Sequence, residues 1–532
     1  MSVSQPPPDG ISRSELRRDV SVWGSYMWGY AAVGADIYTA LGIITLAALG
    51  FAPLAFLAAG LVFALVGLCY AELASAYPLA GGGQYFTLRG LGDFWGLVAG
   101  AALVLDYTID ISLFAVVAFG YANYFLPYLI GHSALDLTVS LGPIHLAWFW
   151  LIETLLGIVL LAWLNVRGIR VSTGFNEVIG TIAIIAQALI VVVGFVLIWN
   201  PDLLIHQFTF DRPTAAQFAF GSSLAIIAFV GLETISQVAQ ETRRPATIIP
   251  RTSIGLVISV LLFAMAFSVL AMGLVHPADF RGHEGDPVAL IASKIPVIGV
   301  VAAPMTAIIG FLIVFISANS GVVSSSRLSY SMSQFQLLPK WFTKINPKFA
   351  TPARAIIVFS GVALVQTLIA FFTPGQPGKS AAIDVLADLY AFGATTGYLL
   401  VFISLFALRL NDPYTPRPYM MPLNLQVTFR GRRVYLPVLG ALGFVGVLFF
   451  LLMVILTHAY ARVVGPVWVL IAIGIYVVYR RRHRYPLFRS IPRDWETATK
   501  QVLEAAEEFK SLEEYEAALA ERELREGPKP IS

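Results

Sequence analysis

The 532-residue sequence predicts an all-α polytopic membrane protein of about twelve transmembrane helices. Three observations carry this. Hydrophobic residues make up 57% of the chain and charged residues only 13%, against roughly 25% charged in soluble proteins. Many windows of about 20 residues hold few or no charges, the length a helix needs to cross the hydrocarbon core. Two of those windows carry the same interruption, a glycine beside a carboxylate: Val33-Gly34-Ala35-Asp36-Ile37 and Val230-Gly231-Leu232-Glu233-Thr234.

By hydropathy the first repeat unit holds spans at about 22–48, 52–77, 94–126, 146–164 and 174–199. A second unit holds spans at about 217–240, 253–275, 297–326, 354–373 and 384–408, and two more follow at about 435–457 and 463–479. No strand is expected, because the runs are far too long and lack the alternation of a barrel. Spans 1 and 6 carry the two interruptions. Five spans per half force the halves into opposite topologies, which is the pattern of an inverted repeat. The expected organisation is therefore a segment 1–21, a membrane domain 22–480 with repeats 22–199 and 217–408 and extra helices 435–479, and a tail 481–532.

Lys and Arg set the expected orientation. With the N-terminus inside, the inner segments hold Arg13, Arg17, Arg18, Arg89, Arg167, Arg244, Arg327, Lys340, Arg409, Arg417 and Arg480, among others. The outer loops hold Arg212, Arg281, Lys294, Lys379 and Arg462. Both termini are expected in the cytoplasm, on a multi-pass protein of the plasma membrane. The tail is Glu-rich, with Val502, Ala505, Phe509, Leu512 and Leu519 near helical spacing, and reads as an amphipathic helix on the cytoplasmic face.

A net charge of +3 is too small to point to nucleic acid, so the expected partners are the bilayer and a small solute. Cys69 stands alone, which excludes an intrachain disulfide. The polar N-terminus and long first span do not read as a signal peptide.

A broken helix in lipid has no water to satisfy its peptide groups. An intramembrane carboxylate is costly and by default functional. Paired breaks in matching halves point to a transporter's binding site. Gly34, Ala35, Ile37, Gly231 and Leu232 are the expected backbone binders, with Phe229 a candidate lid. Asp36 reads as a proton carrier, a cation ligand or an anchor for a substrate amine. Asp106 and Asp110 share a helix face at i, i+4. Glu233 is expected to brace the break by accepting backbone hydrogen bonds, with ligand contact open. Asn319, Ser320, Ser324 and Ser325 in span 8 are candidate sodium ligands. No cofactor is expected beyond a coupling proton, sodium or potassium ion.

The motifs resemble the amino acid–polyamine–organocation superfamily of permeases. Tyr70-Ala71-Glu72-Leu73-Ala74-Ser75-Ala76-Tyr77-Pro78, then Ala80-Gly81-Gly82-Gly83-Gln84-Tyr85, is similar to its second span and first inner loop. Leu164-Asn165-Val166-Arg167-Gly168-Ile169 with Asn176 resembles its entry to span 5. Gly231-Leu232-Glu233 with Gln240-Glu241, Pro245, Ile249, Pro250 and Arg251 resembles span 6 and the next loop, and Ser326-Arg327-Leu328 through Thr351-Pro352 the loop after span 8. The resemblance implies a five-plus-five inverted-repeat fold and coupled uptake or exchange of small solutes, most often amino acids. Asp106 also fits the span-3 aspartate of some potassium-importing relatives, which keeps potassium or another inorganic cation open as the cargo. Two departures stand out. The family's first break is usually Gly-Ser-Gly, whereas this chain has Gly34-Ala35-Asp36. Proton-coupled members often place a lysine midway along span 5, near Ala183, and this span has none.

A channel and an intramembrane enzyme are the rival classes; no pore-lining ring or filter repeat marks a channel. Gly90-Leu91-Gly92-Asp93 matches the Gly-x-Gly-Asp signature of intramembrane aspartyl proteases, but Asp93 falls at a span boundary and the Tyr-Asp partner motif is missing.

Overall fold

The computed structural model describes residues 21–526, apart from residue 80, residues 169–171, residue 238, residues 240–241, and residues 243, 297, 350, 375–380 and 430–431. Ile169, Gln240, Glu241 and Lys379 therefore lie outside the described residues. Eleven helical stretches are long and apolar enough to cross a membrane. The first, Val22–Ala76, is 55 residues long and holds two spans. Leu49, at φ 50°, reverses the chain. Before the turn Ala48 lies against Gly221; after it Gly60 lies against Phe229 and Gly67 against Leu232. The chain thus retraces span 6 in the opposite sense, and twelve spans result.

Span 1 is Val22–Val33 followed by Asp36–Ala48, and span 2 is Ala52–Ala76. Spans 3, 4 and 5 are Asp93–Ala122, Trp148–Arg167 and Ser172–Leu197. Span 6 is interrupted and occupies Ala215–Gln237. Spans 7 to 10 are Pro245–Met272, Gly299–Gln334, Ala353–Phe371 and Ala381–Asn411. Val438–Thr457 and Ala461–Arg482 are spans 11 and 12.

Small residues let the central spans approach. A Cβ on Gly393 of span 10 would stand 3.0 Å from the Asp106 backbone nitrogen, and one on Gly321 of span 8 would stand 2.8 Å from an Asp110 oxygen. Spans 8 and 10 therefore pack directly on the acidic stretch of span 3. That stretch is fully enclosed, whereas spans 11 and 12 lie at the periphery with many exposed apolar side chains.

Two short hairpins correct the expectation of no strands. Thr138–Leu141 pairs with Ile144–Ala147, and Asn424–Phe429 with Arg432–Pro437. Both lie between spans. Gly142, at φ 64°, supplies the left-handed turn of the first. The tail also differs from a single helix on the surface. It forms two helices, Trp495–Ala505 and Phe509–Glu526, split at Glu507 with φ 57°.

Candidate functional site

The second break is a full interruption. Helix Ala215–Leu224 tightens into a 3-10 segment, Ala225–Phe229. Val230 is extended, with ψ 149°. Gly231 has φ 114°, a conformation costly for any side chain. Helix resumes for one turn at Thr234–Gln237. A Cβ on Gly231 would stand 3.1 Å from Ala32 Cβ and 3.2 Å from Val33. The two interruptions therefore face each other.

The first break is shallower than expected. Gly34 and Ala35 both stay in the right-handed helical region. The Gly34 N–H still donates to Tyr30 O at 2.7 Å, and Tyr38 N–H donates to Ala35 O at 3.0 Å. A Cβ on Gly34 would strike the Tyr30 ring at 2.6 Å. The glycine here makes room for an aromatic ring rather than unwinding the chain. The Gly34 carbonyl is the polar group released, and it accepts from Gln187 Nε2 of span 5 at 3.2 Å. Gln187 Oε1 in turn accepts from Tyr30 Oη at 2.5 Å. Ser317 of span 8 donates to Ala32 O at 3.1 Å.

Four carboxyl groups gather between the breaks. Asp36 and Glu233 are 0% exposed, Asp106 1% and Asp110 5%. The Asp106 and Glu233 carboxyls meet side by side. Glu233 Oε2 accepts from Tyr398 Oη at 2.8 Å and from its neighbour Gly231 N–H at 3.3 Å. It thus braces the break from within. Asp110 Oδ1 accepts from Tyr390 Oη at 3.3 Å. Asp36 opens the second half of span 1, and the Val230 N–H approaches it without reaching ordinary hydrogen-bond geometry. Among the described residues, neither Asp36 oxygen has a hydrogen-bond partner, and Glu233 Oε1 and Tyr70 Oη also lack one. Among the described residues, no Lys, Arg or His forms an ion pair with any of the four. Burying several like charges without a counter-charge is prohibitive. The cluster must therefore hold protons or a bound cation.

Both ends of the site are closed. On one face, Tyr121 Oη donates to Tyr38 O at 2.9 Å and accepts from Val288 N–H at 3.3 Å. On the other, Gln237 accepts from Gly81 N–H and donates to Tyr107 Oη, each at 3.2 Å. The C-terminal helices sit on this second face, called the tail face below.

Several expected residues have different surroundings. Phe229 stacks on Phe63 of span 2 with centroids 5.2 Å apart, and Gly60 leaves the space for it. Its ring packs span 6 on span 2. Leu232 points at Gly67 of span 2. Ala35 and Ile37 are buried beside the first break. Asn319 Oδ1 accepts from Asn165 of span 4 at 2.7 Å. Ser320 and Ser325 donate to the carbonyls of Ser317 and Val322, three residues back. Hydroxyls on helices commonly do so, and this engages them in their own backbone. Ser324 is buried on the same helix. Glu72 binds Arg409, Arg417 and the Met421 N–H, joining span 2 to the end of span 10.

Gln187, Tyr70, Tyr390 and Tyr398 complete the site without having been singled out in the sequence. Gln187 left a signal, as the lone polar residue of the run 182–197.

The sequence profile of a family described as "Amino acid permease" matches residues 25–478, most of the chain. The chain belongs to this family. The branched-chain amino acid permease BcaP of Bacillus subtilis is 26% identical over 486 residues, 88% of this chain and 94% of that protein. The methylthioribose transporter of the same organism is 27% identical over 484 residues, 88% of this chain and 94% of its own. Cationic amino acid transporter 3 of Arabidopsis thaliana is 25% identical over 412 residues, 74% of this chain and 62% of that protein. This permease is accordingly a multi-pass membrane transporter and not an enzyme. Asp93, the residue behind the protease reading, pairs with Arg480 and Arg493 instead. Among these relatives none is named for potassium, and the inorganic-cation reading gains no support from them.

Proposed function

We propose that the permease carries an amino acid or a related organic amine by alternating access, with protons as the coupling ion. The observation behind this is the cluster of Asp36, Asp106, Asp110 and Glu233, buried together without a basic partner. An ammonium group is the complement of such a cluster. Protons are the other way to neutralise it. A substrate amine entering between the breaks would compete with protons for the same oxygens, which links the two movements. The oxygens of Asp36, without a partner among the described residues, are the proposed amine contacts, and the Asp106–Glu233 pair is the proposed proton site. Amino acid and amine cargo agrees with the names of the branched-chain and cationic relatives.

The tail face carries Arg89, Arg244, Arg409, Arg417, Arg480 and Arg493, which by the positive-inside rule supports the reading that this face and both termini are cytoplasmic. Residues 22–199 and 217–408 are the proposed inverted repeats. Rocking of one against the other would open the site to each face in turn.

Uptake into proteoliposomes tests the proposal. Labelled leucine, lysine, putrescine and the potassium surrogate rubidium are offered with and without proton and sodium gradients. Saturable uptake of an amine-bearing solute, raised by an inward proton gradient and indifferent to sodium, is expected. Rubidium uptake without amine uptake would overturn it.

A further inference from the structure

The C-terminal hairpin does not lie free on the surface. Arg522 holds its two helices together through Glu496 at 2.6 Å, and Leu503, Tyr515 and Leu519 form a small core between them. One end is anchored on spans 3 and 8. Arg493 pairs with Asp93 at the start of span 3 at 2.5 Å and donates to Phe335 O, just past span 8, at 2.7 Å. Trp495 packs against the rings of Tyr85 and Phe335, 5.9 and 5.8 Å away. Arg89, itself paired with Asp412 at 2.9 Å, donates to Thr499 Oγ1 at 2.9 Å. Val502 joins the main core of the membrane domain. The other end reaches span 7. There the Glu508 carboxyl is buried beside the Ala246 and Thr247 amides at the helix N-terminus; burial, the larger effect, raises its pKa, while these amides lower it.

These anchors lie on opposite sides of the site. Span 7 packs along span 2, with Leu261 against Gly60 and Val257 against Gly67. Span 8 packs along span 3, with Gly321 against Tyr107 and Asp110. Spans 3 and 8 bring Asp106 and Asp110; Glu233 leads through the second break into span 7. Opening of the tail face at the site would part the inner ends of these two pairs. The hairpin spans that separation, from Arg493 and Trp495 on one side to Glu508 on the other.

We propose that the C-terminal hairpin is an autoinhibitory lock: docked, it holds the tail face closed, and it must release from span 7 or from spans 3 and 8 before the site opens there. The lock concerns the opening of this face and stands whatever solute is carried.

The test reads opening without a substrate. Ser236 lies beneath Gly82 in the closed tail face and is 2% exposed. Ser236→Cys, in a Cys69→Ser background, is alkylated by N-ethylmaleimide and followed by peptide mass spectrometry. Two release variants are compared, Trp495→Ala/Thr499→Val at the docking surface and Arg522→Ala within the hairpin, each checked for a monodisperse elution profile. Both are expected to speed alkylation, by roughly tenfold for the docking variant if the lock contributes a typical coupling. A disulfide between Thr247→Cys and Glu508→Cys is expected to slow it, with recovery on reduction. Alkylation unchanged in the release variants, or equally fast in the oxidised and reduced cross-link, would overturn the lock.

Discussion

Asp106 of span 3 and Glu233 of the second break meet carboxyl to carboxyl at the centre of the permease, both buried. Two carboxylates at this separation cannot both stay ionised. The pair is therefore a place where a proton or a cation must reside, and it bridges the two parts of the fold that carry the site.

Tyr398 tunes that pair by donating to Glu233 at 2.8 Å. Tyr398→Phe removes one hydrogen bond to the Glu233 carboxyl, a loss of about 1.5–3 kcal/mol when that carboxyl is ionised. The expected result is a displaced pH profile for uptake with wild-type expression. An unchanged profile would mean that Glu233 does not titrate during transport.

Gln187 ties span 5 to the first break through Gly34 O and Tyr30 Oη. Gln187→Leu leaves both groups buried without a partner, at about 1–3 kcal/mol each. Uptake should fall by roughly tenfold or more, while Gln187→Glu, which keeps an acceptor for Tyr30, should retain part of it. Initial uptake rates in proteoliposomes decide this.

Gly231 has φ 114°, and a methyl group there would stand 3.1 Å from Ala32 Cβ, closer than ordinary contact. Gly231→Ala should lower stability by about 1–3 kcal/mol and separate the two breaks. A thermal-shift measurement in detergent should show a Tm several degrees lower. A Tm equal to wild type would show that the break relaxes freely.

The loop carrying His283 covers the face opposite the tail. Its backbone packs on Gly42 of span 1, and Gly285 packs on Gly120 of span 3. His283 donates to Asp286 at 2.9 Å, which raises its pKa above the ordinary value while burial opposes the shift. A raised histidine pKa means that this contribution is fully present below pH ~6.5 and is lost as pH rises through the higher folded value. Wild-type Tm should drop slightly between about pH 6.5 and 8, and His283→Gln should flatten that slope. Parallel slopes in the two proteins would remove the pair from the pH response.

The apolar runs made the spans legible, and the observed ends of spans 1, 2 and 11 fall close to the predicted ones. Gly231 was legible as a break because no other residue relieves that backbone. Gly34 was not legible as a mere kink: its role depends on the ring of Tyr30 packing against it, a tertiary contact. Asp36, Asp106 and Glu233 were found because charge is rare in lipid. The tyrosines that line them were not, because aromatic residues are common throughout these spans. Adjacency to a break in sequence does not fix the direction of a ring, and that of Phe229 is set by its packing on Phe63 of span 2. The hairpin form of the tail turned on Glu507, whose left-handed backbone carries no pattern in the sequence.

The most direct test of the central claim is proton-driven uptake of labelled amino acid by Asp36→Asn in proteoliposomes. Asp36 is buried between the breaks, and both of its oxygens lack a partner among the described residues. Loss of gradient-driven uptake, by roughly a hundredfold with normal insertion, is expected. Near-normal uptake that still responds to the proton gradient would contradict it.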